Sequence, residues 1–143
     1  MKGILADVNI KGHVEYLTAL MKAEPWKEFW DDLGIERATF DELGLQHDAT
    51  DAAVWEVCQN REYVLITRNR NRDGPDSLEA TIQAHNTAES LPVLTIADTE
   101  RLLHSREYAE RVVESLLDVL MRIDGLRGTG RLMCPERILR SHD

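Results

Sequence analysis

Carboxylate and amide side chains of this chain fall at three places where an α/β protein does its chemistry. Asp7 and Asn9 follow the run Lys2-Gly3-Ile4-Leu5-Ala6, Asp51 opens a helical segment, and Asn69, Asn71 and Asp73 follow Tyr63-Val64-Leu65-Ile66. A short continuous apolar run that ends in polar residues reads as a buried parallel strand, and its carboxyl end is the edge where open α/β sheets hold ligands. A carboxylate at the end of a buried strand is costly unless it is paired or bound to a metal. Oxygen ligands from three elements meeting at one edge suit a hard cation such as Mg2+, which takes one or two carboxylates, waters and the phosphates of a substrate. Such an ion polarises a phosphoryl oxygen and makes a hydroxide nucleophile, so the reaction class is phosphodiester hydrolysis. Arg68, Arg70 and Arg72 alternate with the polar residues after the second run. Their planar guanidinium forks fit phosphate oxygens.

Each of these residues also has a purely structural reading. Asp7 can bond the backbone amides of the next turn, and Asp51 can be a first-turn acid favoured by the helix dipole. Asn69 and Asn71 suit turn conformations, and the arginines can be a solvated loop. The looser set Arg122, Arg127 and Arg131 surrounds Gly128-Thr129-Gly130, which is too short to read as a phosphate loop.

The elements that must position these residues alternate between strand-like and helix-like patterns, the arrangement of an α/β fold with a parallel sheet. The first strand is Lys2 to Ala6, and apolar spacing marks a helix over Gly12 to Met21 with a break at Pro25. Trp26, Phe29, Trp30 and Leu33 predict a second short helix, with aromatics facing inward, that ends at Gly34. Ile35 to Phe40 fits a second strand. Asp48 or Thr50 caps a helix to Arg61 that buries Ala53, Val54, Val57 and Cys58, and the third strand is Tyr63 to Ile66. Asp76 with Glu79 has the form of a capping box for a helix to about Ala88, with Leu78 and Ile82 as its stripe. Pro92 to Ile96 is a fourth strand. One long amphipathic helix is expected from Thr99 to Ile123, its stripe including Leu102, Leu103 and Met121 and also able to serve a homodimer. The tail from Arg131 to Leu139 adds a short final edge strand.

Composition narrows the classes. At 143 residues the chain reads as one domain, 1–143, long enough to bury a core without a disulfide or metal staple. Its 43% hydrophobic content excludes a disordered chain, and a net charge of -9 argues against broad adhesion to nucleic acid or anionic membrane, though not against a local basic site. Cys58 and Cys134 read as reduced thiols, and the histidines lack metal-ligand spacing. No stretch resembles a signal peptide or a membrane span, so the expected location is the cytoplasm.

An amino-terminal strand ending in Asp-x-Asn (Asp7, Asn9), a helix entered through Asp51 and an apolar strand running into Thr67-Arg68 resemble the PIN-like nuclease family, in particular its short prokaryotic members. The resemblance covers roughly residues 1 to 96. It implies a Rossmann-like three-layer α/β/α sandwich with a mostly parallel central sheet of four or five strands, a Mg2+ or Mn2+ site, and RNA as substrate, often as the toxin of a toxin-antitoxin pair with an antitoxin-type protein partner. Asp7 corresponds to the family's first acid and Asp51 to the acid of the central helix, while the later acids of its Thr-Arg-Asp-x-Asp pattern fall on Asn69 and Asn71. Two amides in place of carboxylates lower the charge around a cation and hence its affinity, and Asp73 offers one charge back. In this reading Asp7, Asp51 and Asp73 hold the ion and Asn69 and Asn71 complete its surroundings. Asn9, Thr67, Arg68, Arg70 and Arg72 contact RNA. The alternatives are a catalytically impaired PIN-like module that binds RNA or protein, and a Rossmann-like hydrolase or phosphatase that uses Asp7 as a nucleophile.

Overall fold

A computed structural model describes residues 1–68 and 77–136. A five-stranded sheet forms its centre, in the order β2-β1-β3-β4-β5, from β1 (Gly3–Ala6), β2 (Glu36–Ala38), β3 (Tyr63–Arg68), β4 (Val93–Ile96) and β5 (Arg131–Cys134). Every pairing is parallel, with Gly3 opposite both Glu36 and Tyr63, Ile66 opposite Leu94, and Ile96 opposite Cys134. β1 and β4 are buried throughout and β3 is buried up to its last residue, as apolar runs covered on both faces must be; β2 and β5 form the edges.

The helices are α1 (Lys11–Met21), α2 (Lys27–Leu33), α3 (Asp51–Arg61), α4 (Leu78–His85), α5 (Thr99–His104) and α6 (Arg106–Met121). Alternation along the strands divides the core in two. Ile4, Ala6, Val64, Ile66, Leu94 and Ile96 pack with α1, α2, α5 and α6, whereas Leu5, Tyr63, Leu65 and Val93 pack with α3 and α4. Each fully buried aliphatic side chain contributes about 1.5–3 kcal/mol relative to exposure. The chain is therefore a three-layer α/β/α sandwich.

Chain direction sets one feature apart. The steps from β3 to β4 and from β4 to β5 go the same way across the sheet, but the first crosses the α4 face and the second crosses the opposite face through α5 and α6. The two crossovers thus have opposite hand, although parallel crossovers follow one hand almost without exception. The large apolar stripe of α6, from Tyr108 to Leu120, is what holds the last crossover there, packed on α1, α2 and β5.

Several expectations need correction. The long helix after Thr99 is two helices: Ser105 turns extended (φ -138°, ψ 110°) and its hydroxyl accepts the Tyr108 N–H, so it stops α5 and caps α6. Leu103 and Met121, expected in the stripe, are exposed, each about 100° around its helix from a buried neighbour, Leu102 and Leu120. Phe29 is 47% exposed. It lies about 100° around α2 from Trp30, outside the stripe through Trp26 and Trp30. In α3 the buried side chains are Val54, Trp55 and Cys58, with Ala53 exposed, because the face turned to α4 carries Trp55 against His85. Ser77, not Asp76, caps α4 by accepting the Ala80 N–H; Asp76 lies outside the described residues.

Candidate functional site

The order of strands places the reversal of winding between β1 and β3. From β1 the chain steps outward to β2 over one face, then returns past β1 to β3 over the other, so the winding reverses at the carboxyl ends of β1 and β3. Ligands of doubly wound sheets bind at such a switch point.

Asp7 stands at its β1 side. Its N–H donates to the Ile66 carbonyl at 2.9 Å and its own carbonyl accepts the Ile10 N–H at 3.0 Å, so it leaves the sheet and opens the 3-10 turn Val8–Ile10. Its backbone is still extended (φ -56°, ψ 143°), so the alternation that puts Leu5 on the α3 face puts the Asp7 side chain on that face too. The carboxylate is half-buried, and Asn9, in the turn, is exposed.

Asp51 is the first residue of α3, whose cap is Thr50: the Thr50 hydroxyl accepts the Ala53 N–H at 3.1 Å. Because α3 runs back against β3, its amino end lies at the sheet's carboxyl edge. There the Asp51 carboxylate accepts the N–H of Leu78 at 3.1 Å, tying the first turn of α3 to the first turn of α4. Asp7 and Asp51 thus share one edge and one face of the sheet. Both carboxylates have interacting neighbours.

The third strand extends further than its apolar run. Thr67 and Arg68 belong to β3, so Thr67, expected among the RNA contacts, is 6% exposed and shares a hydrogen bond of 3.2 Å with the Thr95 hydroxyl across the β3–β4 register. Pairing the two hydroxyls satisfies both inside the sheet rim, where either alone would be costly. Arg68 is exposed at the end of the strand. Asn69, Arg70, Asn71, Arg72 and Asp73 lie outside the described residues.

The second basic set is committed elsewhere. Arg122 pairs with Asp118 at 2.8 Å, Arg131 with Glu79 at 2.9 Å, and Arg127 with Glu62 at 2.8 Å and Asp124 at 3.0 Å. Burial pushes the Cys58 thiol up to about 12 and the Cys134 thiol up to about 11, which removes both as nucleophiles.

No group of three or more His, Cys, Asp or Glu side chains able to hold a metal occurs among the described residues. Among the described residues, the carboxylates brought to this edge are Asp7 and Asp51, with the Asn9 amide close by in sequence. This set fits Mg2+ or Mn2+, which are held by one or two carboxylates with waters and substrate phosphates.

Fold and site together define a doubly wound α/β protein with two acids, Asp7 and Asp51, at its switch point. Comparison of the chain with protein-family models, with curated proteins and with solved structures finds no match in any of the three. Among the described residues no helix is long and apolar enough to cross a membrane.

Proposed function

We propose that the chain is a PIN-like, divalent-metal-dependent ribonuclease acting at the switch point between β1 and β3. The observation that carries the reading is the common edge and face of Asp7 and Asp51, two acids separated by a strand, two helices and a loop in sequence. In this reading their carboxylates hold a Mg2+ or Mn2+ ion, which when bound supplies Lewis-acid polarisation of a phosphoryl oxygen. Arg68, exposed at the end of β3, meets substrate phosphate beside them. Two carboxylates make cation binding weak until substrate phosphates complete the surroundings. The reading extends to a cytoplasmic toxin with an antitoxin-type partner.

Cleavage of single-stranded RNA is measured with Mg2+ or Mn2+ for the wild type and for Asp7→Asn. The proposal expects metal-dependent cleavage that falls at least a hundredfold in the variant. Equal rates in both proteins end it.

A second reading, a PIN-like module that binds RNA without cutting it, is favoured by the two amides, Asn69 and Asn71, that stand where the family's later acids fall. It expects RNA binding with no metal-dependent thermal shift, and a clear shift with millimolar Mn2+ counts against it.

A further inference from the structure

A second feature of the carboxyl edge is a cavity of about 130 Å³ beside the switch point, above the ends of β1 and β2. Val8 and Phe40 line its apolar part, and its charged lining is Lys11, Arg37, Asp41 and His47. At roughly 30 Å³ per liquid water, this space corresponds to about four waters, enough for a phosphoryl group.

The cations around it are weakly engaged. The Lys11 ammonium is exposed and makes no hydrogen bond or ion pair among the described residues. Arg37 reaches Glu15 only at 3.8 Å, and His47 reaches Asp41 only at 3.7 Å, both longer than a hydrogen bond. Contrast Arg122, Arg127 and Arg131, each hydrogen-bonded to a carboxylate. The lining itself thus carries two permanent cations, Lys11 and Arg37, and one carboxylate, Asp41, with Glu15 outside it at 3.8 Å from Arg37, so Lys11 is the cation left to meet an anion.

We infer that this cavity is a phosphate subsite: Lys11 and Arg37, with His47 at its rim, bind a backbone phosphate of the RNA strand next to the one at the Asp7–Asp51 edge. Neighbouring strands lie about 4.8 Å apart, so a ligand lying across the carboxyl edge from β3 over β1 to β2 meets Arg68, then Asp7, then the cavity. The identity of the ligand as RNA rests on the function proposed above, but anion binding in the cavity needs neither metal nor catalysis.

Binding of a short fluorescein-labelled single-stranded RNA is measured by polarisation in EDTA, across a salt titration, for the wild type, Lys11→Gln, the Lys11→Gln/Arg37→Gln double variant and Lys22→Gln. Lys22 is the control, the same charge change at the far end of α1, about 16 Å away. Loss of one phosphate contact to a single strand lowers the log–log salt slope by about 0.7, so Lys11→Gln loses about 0.7 and the double variant about 1.4. The double variant also binds on the order of tenfold more weakly, while Lys22→Gln matches the wild type. Unchanged slope and affinity in both cavity variants overturn the subsite, as does a wild type that binds no RNA in EDTA. Lys11 is exposed, so its single variant keeps the test decisive should the double variant unfold. The two readings fail separately: cavity-dependent binding without cleavage leaves the subsite standing and removes the nuclease, whereas cleavage with cavity-independent binding does the reverse.

Discussion

The Asp51 carboxylate accepts the Leu78 N–H at 3.1 Å and so joins the amino ends of α3 and α4 at the edge where β1 and β3 finish. An acid in this position has two separable roles, acceptor and charge. Asp51→Asn keeps an acceptor oxygen and is expected to melt within a few degrees of the wild type. Asp51→Ala leaves the amide unmatched and costs about 1–2 kcal/mol. RNA cleavage should be lost in both, because the charge is gone from both; full cleavage by Asp51→Asn removes Asp51 as a cation ligand.

Gly3 is fixed by close approach. A Cβ at this position would stand 2.0 Å from the Glu36 carbonyl oxygen in the register that pairs β1 with β2. Gly3→Ala is expected to destabilise by about 1–3 kcal/mol or more, read from chemical denaturation. Loss of the β1–β2 pairing also opens the cavity lined by Arg37 and Ala38, and under the proposed subsite RNA affinity falls with it.

Gln59 of α3 acts as a strand partner would. Its amide donates to the Leu91 carbonyl at 2.8 Å and accepts the Leu91 N–H at 2.8 Å, satisfying both backbone groups of a residue that is almost wholly buried. Gln59→Ala strands both and is expected to cost about 2–4 kcal/mol, with faster amide exchange at Leu91.

Arg127 holds the Glu62 carboxyl below its usual 4.5, chiefly through their hydrogen bond. A depressed carboxylate stabilises the fold above its unfolded pKa and ceases to do so as pH falls through its folded value. Arg127→Met should therefore lose up to about 1 kcal/mol near neutral pH, a modest amount for a partly exposed pair, and the gap from the wild type should narrow below about pH 4.5. Glu62 also carries a left-handed φ of 64°. Glu62→Gly would relieve that backbone conformation but remove the carboxylate from both of its cationic partners, Arg127 at 2.8 Å and the Met1 ammonium at 3.4 Å, so no net gain is expected.

The thiols of Cys58 and Cys134 are buried and raised to about 12 and about 11. A thiol reagent near neutral pH is expected to leave the native protein almost unlabelled and to label both cysteines once denaturant unfolds it. Rapid labelling of Cys58 in the native state contradicts its burial against Tyr63 and Leu65 in the second core cluster.

Much of the architecture was legible along the chain because its signals are local. The run Tyr63-Val64-Leu65-Ile66 marked a central strand, Gly34 the end of α2 and Arg131 the start of the edge strand, and all three agree with the fold. Errors arose where a local pattern admits two outcomes. Leu102 continues into the Ala109–Leu120 stripe at helical spacing, and the interruption shows in the extended Ser105 backbone and its hydroxyl on the Tyr108 N–H. A serine standing before Arg106-Glu107 was the available signal. Thr67 opens the polar cluster after the apolar run, and its burial depends on meeting Thr95 across the sheet.

The sequence alone determined the alternation of strands and helices, the parallel sheet and the acids at the end of β1 and the start of α3, since hydrophobic period and capping chemistry act over a few residues. Tertiary structure decided that β1 lies between β2 and β3, that α5 and α6 cross on the α1 face, and that Lys11, Arg37 and His47 gather around one cavity. These depend on which distant surfaces bury each other, a choice made by the whole core and not by any one segment.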